Sequence, residues 1–293
     1  MLDSLPSGWG LAAALNQWLL YGAALFAMGS ALSSLWLPLP PAAKGLAGVV
    51  GRRASVLAVV FYALAVGLVG ADMLGASNGL LNPRSWELGM RTTLSSSAAF
   101  GVPAMGVLFW GFVRPGKRRR LFFLAGIALT VASFLVTGHP AVTAPRWLVV
   151  PAYALHILGA AFWLGALAPL VCAVTVLRPA EAWTVIAAFS RRAVYAVGAI
   201  VVSGVVLGAI HLGTAAALTA SDYGQRLLIK GALAAVVIAI AAYNKIVLTP
   251  ALARGEVASQ SRLRLCIGLE IGLLVLILGA AVSLTLVPPP ALD

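Results

Sequence analysis

Residues 147–177 read WLVVPAYALHILGAAFWLGALAPLVCAVTVL, a run without a single Asp, Glu, Lys or Arg. A helix of about 20 apolar residues is long enough to cross the hydrocarbon core of a bilayer. This run therefore predicts a transmembrane helix, and similar runs recur along the chain. Together they predict an all-α, polytopic membrane bundle of about eight transmembrane helices. In chain order, the predicted spans cover 11–37, 46–71, 91–113, 120–138, 147–177, 185–212, 224–249 and 262–286.

The composition of the whole chain agrees with this class. Of 293 residues, 61% are apolar and 10% are charged, whereas a soluble domain carries roughly a quarter charged residues. The longest gap between predicted spans is 72–90, which is too short for a soluble domain. Residues 1–293 are therefore predicted to form a single transmembrane domain surrounded by lipid.

The net charge of +12 raises the question of a nucleic-acid partner. Nucleic-acid-binding proteins cluster their basic residues on one face or tail, but here these residues occupy short gaps between apolar runs. No nucleic-acid partner is expected, because this pattern is the one that orients membrane helices. The gaps after the first, third, fifth and seventh spans and their flanks hold Lys44, Arg52, Arg53, Arg114, Lys117, Arg118, Arg119, Arg120, Arg178, Arg191, Arg192, Lys245, Arg254, Arg262 and Arg264.

The opposite side of the membrane holds far fewer basic residues. Because Lys and Arg are enriched in cytoplasmic loops, the basic gaps are predicted to be cytoplasmic and both termini periplasmic. The amino terminus lacks the basic start and small-residue cleavage site of a signal peptide, so no cleavage is expected. The remaining basic residues are Arg84, Arg91, Arg146, Arg226 and Lys230.

Two short similarities hint at an internal repeat. Residues 22–26 (GAALF) resemble residues 159–163 (GAAFW), and residues 88–91 resemble residues 223–226 at nearly the same offset. Four spans per repeat would give both copies the same orientation, related by an axis along the membrane normal. The sequence therefore leaves open two four-helix halves.

The three histidines of the chain are the first candidates for metal ligands. His139 and His211 fall at the outer ends of the fourth and sixth spans. His156 lies about eleven residues into the fifth, roughly 16 Å along a helix. Metal-ligating groups at membrane depth are costly and usually face protein or water. A shared metal site and separate hydrogen bonds to backbone carbonyls both fit this placement.

Two methionines at the outer ends of the second and third spans, Met73 and Met90, are further candidate ligands. Thioether and imidazole together suit Cu⁺. Methionine is also a common filler of irregular gaps in a core, so the sequence allows both roles.

Polar residues also lie in the cytoplasmic half of the predicted bundle. Glu270 is in the middle of the last span, and Asn244 lies at a comparable depth in the antiparallel seventh span. Trp163 shares a helix face with His156, seven residues earlier. The carboxyl of Glu270 could form an interhelical hydrogen bond or salt bridge to Asn244, Arg191 or Arg192. It could equally lie on the inner half of a cation path, together with Trp163 and Asn244.

The order of these motifs resembles that of the copper resistance D (CopD) family. The resemblance covers residues 138–275 closely and the first half in span count. It departs from the family pattern at Ala166, where a W-x-G-G variant has a second glycine. The residues that carry it are Gly138-His139, His156, Trp163-Leu164-Gly165, Phe189-Ser190, Ser203-Gly204-Val205, Tyr223-Gly224, Lys230, Asn244, Pro250 and Leu269-Glu270.

The resemblance implies a multi-pass protein of the bacterial inner membrane that takes part in copper transport, homeostasis and resistance. It implies import from periplasm to cytoplasm beside a periplasmic copper-binding partner, with His139, His156 and His211 as site residues. The sequence itself leaves the copper oxidation state, Cu⁺ or Cu²⁺, open. It contains no phosphate-binding loop for ATP, so energy would come from a gradient or from the membrane potential, about 2.3 kcal/mol per charge per 100 mV.

Two other functions are alternatives to copper transport for a membrane protein with these histidines. A haem b or quinone-linked electron-transfer protein needs two histidines facing each other at matching depth, and His156 is several turns from the other two. A non-transporting assembly or scaffold protein would use the histidines only structurally. An enzyme is not expected, because the sequence shows no nucleophile–base arrangement or catalytic carboxylate pair.

Overall fold

A computed structural model describes residues 8–75, 77–114 and 116–292 of the chain. Pro115, in the predicted cytoplasmic gap after the third span, and residues 1–7 and 293, which belong to the predicted periplasmic termini, lie outside the described residues. Every secondary-structure element described is helical. The helices are α1 (Gly8–Trp36), α2 (Pro41–Leu74), α3 (Pro83–Met90), α4 (Thr93–Val113), α5 (Arg119–Leu135), α6 (His139–Val142), α7 (Arg146–Val176), α8 (Pro179–Leu212), α9 (Ala217–Ala220), α10 (Asp222–Tyr243), α11 (Thr249–Ala253) and α12 (Val257–Thr285).

Each predicted span corresponds to a long helix. Seven of the described helical segments are long and apolar enough to cross a membrane, by length and composition: α1, α2, α4, α7, α8, α10 continued through α11, and α12. The chain is therefore an all-α polytopic membrane protein. The remaining predicted span, 120–138, corresponds to α5, which has 17 residues and lies at the lower limit of lengths that cross a bilayer. It packs side by side with α4.

Short helices fill the gaps between the long ones. Asn82 caps α3 by accepting a hydrogen bond from the backbone N–H of Arg84, and α3 packs against α2. The four-residue α6 begins at His139, after Gly138 turns the chain with a φ of +63°. These segments lie at the outer end of the predicted topology, where they cover the ends of the long helices.

Two glycines form a close approach between α1 and α7. A Cβ on Gly29 of α1 would overlap the carbonyl oxygen of Ala161, and a Cβ on Gly165 of α7 would overlap the backbone of Gly29. Small residues that let two backbones touch are typical of helix packing in membranes. This crossing brings α7 against the side of α1, in the middle of the largest buried cluster.

A π-helical segment interrupts the seventh predicted span at Asn244–Leu248, between α10 and α11. Pro250 follows it, and proline has no N–H to continue the regular ladder of hydrogen bonds. The hydroxyl of Thr249 instead donates to the carbonyl oxygen of Asn244, at 2.8 Å. Such bulges are frequent at functional sites, and this one holds the side chain of Asn244 inside the bundle, 8% exposed.

Candidate metal site and polar path

Two of the three histidines lie in ring contact, at the end of the bundle that is predicted to face outward. The rings of His139 and His211 have centroids 5.4 Å apart. His211 is in the last turn of α8 and is 1% exposed, whereas His139, at the start of α6, is half-buried. Tyr153 of α7 and Tyr223 of α10 pack against His211, with ring centroids 6.0 and 5.9 Å away. Four helices thus converge on one imidazole pair, which we call the outer cluster.

The hydrogen bonds of His211 fix which ring nitrogen carries the proton and which carries the lone pair. Its Nδ1 lies 2.7 Å from the carbonyl oxygen of Leu207, so Nδ1–H donates there and Nε2 carries the lone pair. The hydroxyls of Thr143 and Tyr153 each lie 3.4 Å from this Nε2. Histidines that bind metals typically anchor the other ring nitrogen in this way.

His156 lies deeper and apart from the outer cluster. Its Nδ1 lies 3.2 Å from the carbonyl oxygen of Ile200 and 3.1 Å from the hydroxyl of Ser203. A Cβ at Gly204 would lie 3.5 Å from the ring, so the absence of a side chain at Gly204 leaves room on α8 for this imidazole. Gly204 precedes His211 by seven residues, which places His156 about 10 Å further along α8.

The candidate methionines lie on the surface of the bundle. Met73, near the end of α2, is 60% exposed, and Met90, the last residue of α3, is 63% exposed. Met90 lies at the same end of the bundle as His139. Thr93 follows Met90 by three residues, Thr137 precedes His139 by two, and their hydroxyls lie 3.0 Å apart. Among the residues that the structure describes, no three His, Cys, Asp or Glu side chains come together as a group able to hold a metal ion.

A second polar cluster lies in the opposite half of the bundle. The indole N–H of Trp163 donates to Oε2 of Glu270 at 2.9 Å, and the side-chain amide of Asn244 donates to Oε1 at 2.6 Å. Glu270 is 3% and Trp163 4% exposed. One of the alternatives predicted for Glu270, a hydrogen bond to Asn244, is therefore present in the structure. We call these three side chains the inner cluster.

The inner cluster lines a cavity of about 210 Å³ between α7, α8, α10 and α12. Its wall is mostly apolar, with the hydroxyls of Ser190 and Thr249 and the ammonium of Lys245 among its few polar groups. The Oδ1 atom of Asn244 is buried and has no hydrogen-bond partner. In the described part of the chain, Glu270 makes no salt bridge, so the cavity contains a carboxyl and an amide oxygen that a cation could contact.

Sequence reasoning did not identify several members of these clusters. Tyr153, Thr143 and Ser203 were missed as histidine partners, and the bond from Trp163 to Glu270 was not predicted. A weak signal existed for Tyr153, which precedes His156 by three residues and so shares its helix face. The others depend on which helices are neighbours, and a single sequence does not state that.

Comparisons with known proteins agree with the resemblance drawn from the motifs. The family described as copper resistance protein D matches residues 183–284, which include His211, Asn244 and Glu270. A copper resistance protein D of Pseudomonas syringae pv. tomato is 29% identical over 283 residues, 89% of this chain and 89% of that protein. A copper transport protein CutJ of Bacillus subtilis (strain 168) is 29% identical over 174 residues, 58% of this chain and 30% of that protein. No solved structure matches the chain.

Proposed function

We propose that the chain is a member of the copper resistance protein D family and that it carries copper ions across the bacterial inner membrane from the periplasm to the cytoplasm. Copper is the substrate in this proposal, and no enzymatic reaction is assigned to the chain. The observation that carries the proposal is the order of polar groups along α7. Tyr153 contacts the outer cluster, His156 lies three residues further, and Trp163 reaches Glu270 after seven more.

The proposed path has three stages. Copper is received at the outer cluster by His139 and His211, with Met73 or Met90 as additional soft ligands on the surface. It passes to His156, about 10 Å deeper, and then to the cavity beside Glu270 and Asn244. Glu270 lies near the inner end of this path, where a negative charge on its carboxyl would attract a cation. A cation is therefore favoured to move inward.

Along this path the candidate donor atoms change from imidazole nitrogens to carboxyl and amide oxygens. Imidazole nitrogens bind copper well, whereas carboxylate and amide oxygens are harder donors that bind Cu⁺ weakly. A strong copper site followed by a weak one favours release of copper at the inner end, because a conducted ion must bind weakly enough to leave its last site. A periplasmic copper-binding protein is the proposed donor of copper at the outer cluster.

We expect replacement of either outer histidine to lower the initial rate of copper uptake by more than about tenfold, because even outer partners of metal ligands are worth about 10- to 100-fold in affinity. His139→Ala and His211→Ala would be compared with Tyr195→Phe, a control at a residue that is 81% exposed on α8. Uptake of radioactive copper into cells or proteoliposomes is the measurement. His139→Met replaces the imidazole with a thioether, a soft ligand, so it should preserve uptake of Cu⁺ better than that of Cu²⁺.

Two results would redirect the proposal. Unchanged uptake in the double variant His139→Ala/His211→Ala would leave the histidines with a structural role, as in a scaffold protein. A Soret band in the purified protein would instead indicate a haem between the paired imidazoles.

The proposed topology has eight spans, of which α5 is the shortest, and places both termini in the periplasm. The spans form two four-helix halves that meet at α1 and α7. Gly29 and Gly165, which touch at that crossing, differ by nearly the offset of the similarities predicted from the sequence. An axis between α1 and α7 would bring such equivalent positions together. The halves are proposed to form a single transmembrane domain over residues 1–293, with the copper path in the family-like region 138–275.

A labelling experiment tests whether α5 crosses the membrane. Lys117→Cys before α5 and Val142→Cys after it would be made with Cys172 and Cys266 replaced by alanine. An impermeant maleimide added to spheroplasts is expected to label the cysteine at position 142, where valine is 70% exposed. The one at position 117 should react only after permeabilisation. Labelling of both from the same side would remove α5 from the spans and place the termini on opposite sides.

A further inference from the structure

A basic cleft opens between the first part of α2 and the turn from α4 to α5. Its volume is about 490 Å³, and its walls carry four cationic side chains: Lys44 and Arg52 from α2, Arg114 from the end of α4 and Arg119 from the start of α5. No Asp or Glu lines it among the described residues. A cavity with this wall can hold an anion.

The described part of the chain supplies no counter-ion for these charges. Glu181 and Glu256 are the acidic residues in the same set of predicted cytoplasmic gaps, and they pair with Arg178 and Arg254 at 2.6 and 2.8 Å. None of the four cleft cations makes a salt bridge within the described ranges. The Nε atom of Arg119 is also buried without a hydrogen-bond partner. A donor in this state calls for an acceptor from outside the chain.

The cleft is shaped and held open by its neighbours. Gly45 and Gly48 of α2 line it, and a Cβ on Gly45 would meet no atom within 4 Å. The guanidinium of Arg114 lies over the ring of Trp110 at 5.1 Å, and that of Arg119 over the ring of Phe123 at 4.9 Å. These stacked geometries hold both guanidinium groups at the turn, where their N–H groups can bind two phosphate oxygens.

The position of the cleft identifies the source of the anion. Trp110 is 48% exposed one turn before the end of α4, and tryptophan is enriched at the level of lipid headgroups. Basic pockets between membrane helices on the cytoplasmic side bind the headgroups of anionic lipids. We propose that this cleft is a binding site for the phosphate headgroup of an anionic phospholipid of the cytoplasmic leaflet.

The test measures how strongly the purified full-length protein retains phosphatidylglycerol or cardiolipin against phosphatidylcholine, by native mass spectrometry and by lipid exchange in nanodiscs. The double variant Arg52→Gln/Arg119→Gln is expected to lose about 100-fold in anionic-lipid affinity, since each guanidinium hydrogen bond to a charged phosphate is worth about tenfold. The matched control, Arg53→Gln/Arg118→Gln, removes the same charge at neighbouring positions outside the cleft wall and should retain the wild-type preference.

A second variant blocks the cleft without changing its charge. Gly45→Leu places a side chain into the open space and replaces a poor helix former with a good one, so the variant is expected to fold and to lose the lipid preference. Equal losses in the cleft and control double variants would overturn the site, because they would reflect surface charge alone. Binding of inorganic phosphate that displaces the lipid at equal concentration would overturn the lipid assignment. Neither lipid-binding measurement depends on copper transport, so a protein that failed to take up copper would still test the lipid site.

Discussion

Replacing Gly165 with leucine is expected to destabilise the bundle by about 3 kcal/mol, the upper end of the usual range for overpacking a core. The new side chain would overlap backbone atoms of Gly29 and Ser30 on α1. Backbone atoms cannot move aside by changing rotamer, so α1 and α7 must separate and lose their packing. Equilibrium unfolding in mixed detergent micelles, followed by helical circular dichroism, measures the change in the free energy of unfolding.

Another glycine provides the control for this substitution. A Cβ on Gly198 of α8 meets nothing within 4 Å, and alanine is a better helix former than glycine by about 1 kcal/mol. Gly198→Ala should therefore unfold like the wild type or somewhat later. If Gly165→Leu unfolded with the same midpoint as wild type, the close crossing of α1 and α7 would be wrong.

The Trp163-Leu164-Gly165 motif gains a physical meaning from these contacts. Residues two apart on a helix point to different sides, so Trp163 and Gly165 serve different neighbours. Trp163 reaches Glu270 on α12, while Gly165 packs against Gly29 on α1. The motif therefore joins the inner cluster to the contact between the two halves of the chain.

Much of the fold follows from the sequence because burial in lipid acts on each segment separately. Hydropathy located all the long helices, including α5, although α5 is shorter than the predicted span 120–138. The short helices α3, α6, α9 and α11 were not predicted. Their formation depends on caps such as Asn82, on turns such as Gly138 and on packing over the ends of the spans, and none of these leaves an apolar run.

The sequence predicts how far along its helix each candidate site residue lies, but it does not predict which neighbouring helix that residue faces. Counting residues from the span ends placed Glu270 and Asn244 at the same level, and the structure joins them by a hydrogen bond. The same counting placed His139 and His211 at the outer end, where their rings meet. Which helices are neighbours is set by contacts such as those of Gly204 with His156, and these contacts depend on the whole bundle rather than on any one segment.

Glu270 combines burial with hydrogen bonds from neutral donors. Both carboxyl oxygens accept hydrogen bonds, from Trp163 and from Asn244, and neither donor carries a charge to balance a carboxylate. Buried charges are normally paired or coordinate a cation. In the proposed transport path, the permeating copper ion supplies that balancing charge when it enters the cavity.

Glu270→Gln is therefore expected to fold and yet to lose inward copper transport by about 100-fold or more, since a unit charge pair at about 4 Å is worth about 4 kcal/mol at an effective dielectric constant of about 20. The amide can keep both hydrogen bonds. Its oxygen can accept from the indole of Trp163, and its NH₂ group can donate to Asn244 Oδ1, which has no partner in the wild type, after that side chain flips. Copper flux into proteoliposomes is the measurement, with the unfolding midpoint as the check on folding.

Two further variants separate the loss of charge from the loss of structure. Glu270→Leu leaves the N–H groups of Trp163 and Asn244 without an acceptor, and each unsatisfied buried donor costs about 1–3 kcal/mol, so this variant should lose stability as well as flux. Trp163→Phe keeps the carboxyl and removes one neutral donor, so its flux should stay well above that of Glu270→Gln. Full flux in Glu270→Gln would show that no negative charge is needed at this level, and the inner half of the proposed path would then have to run elsewhere in the bundle.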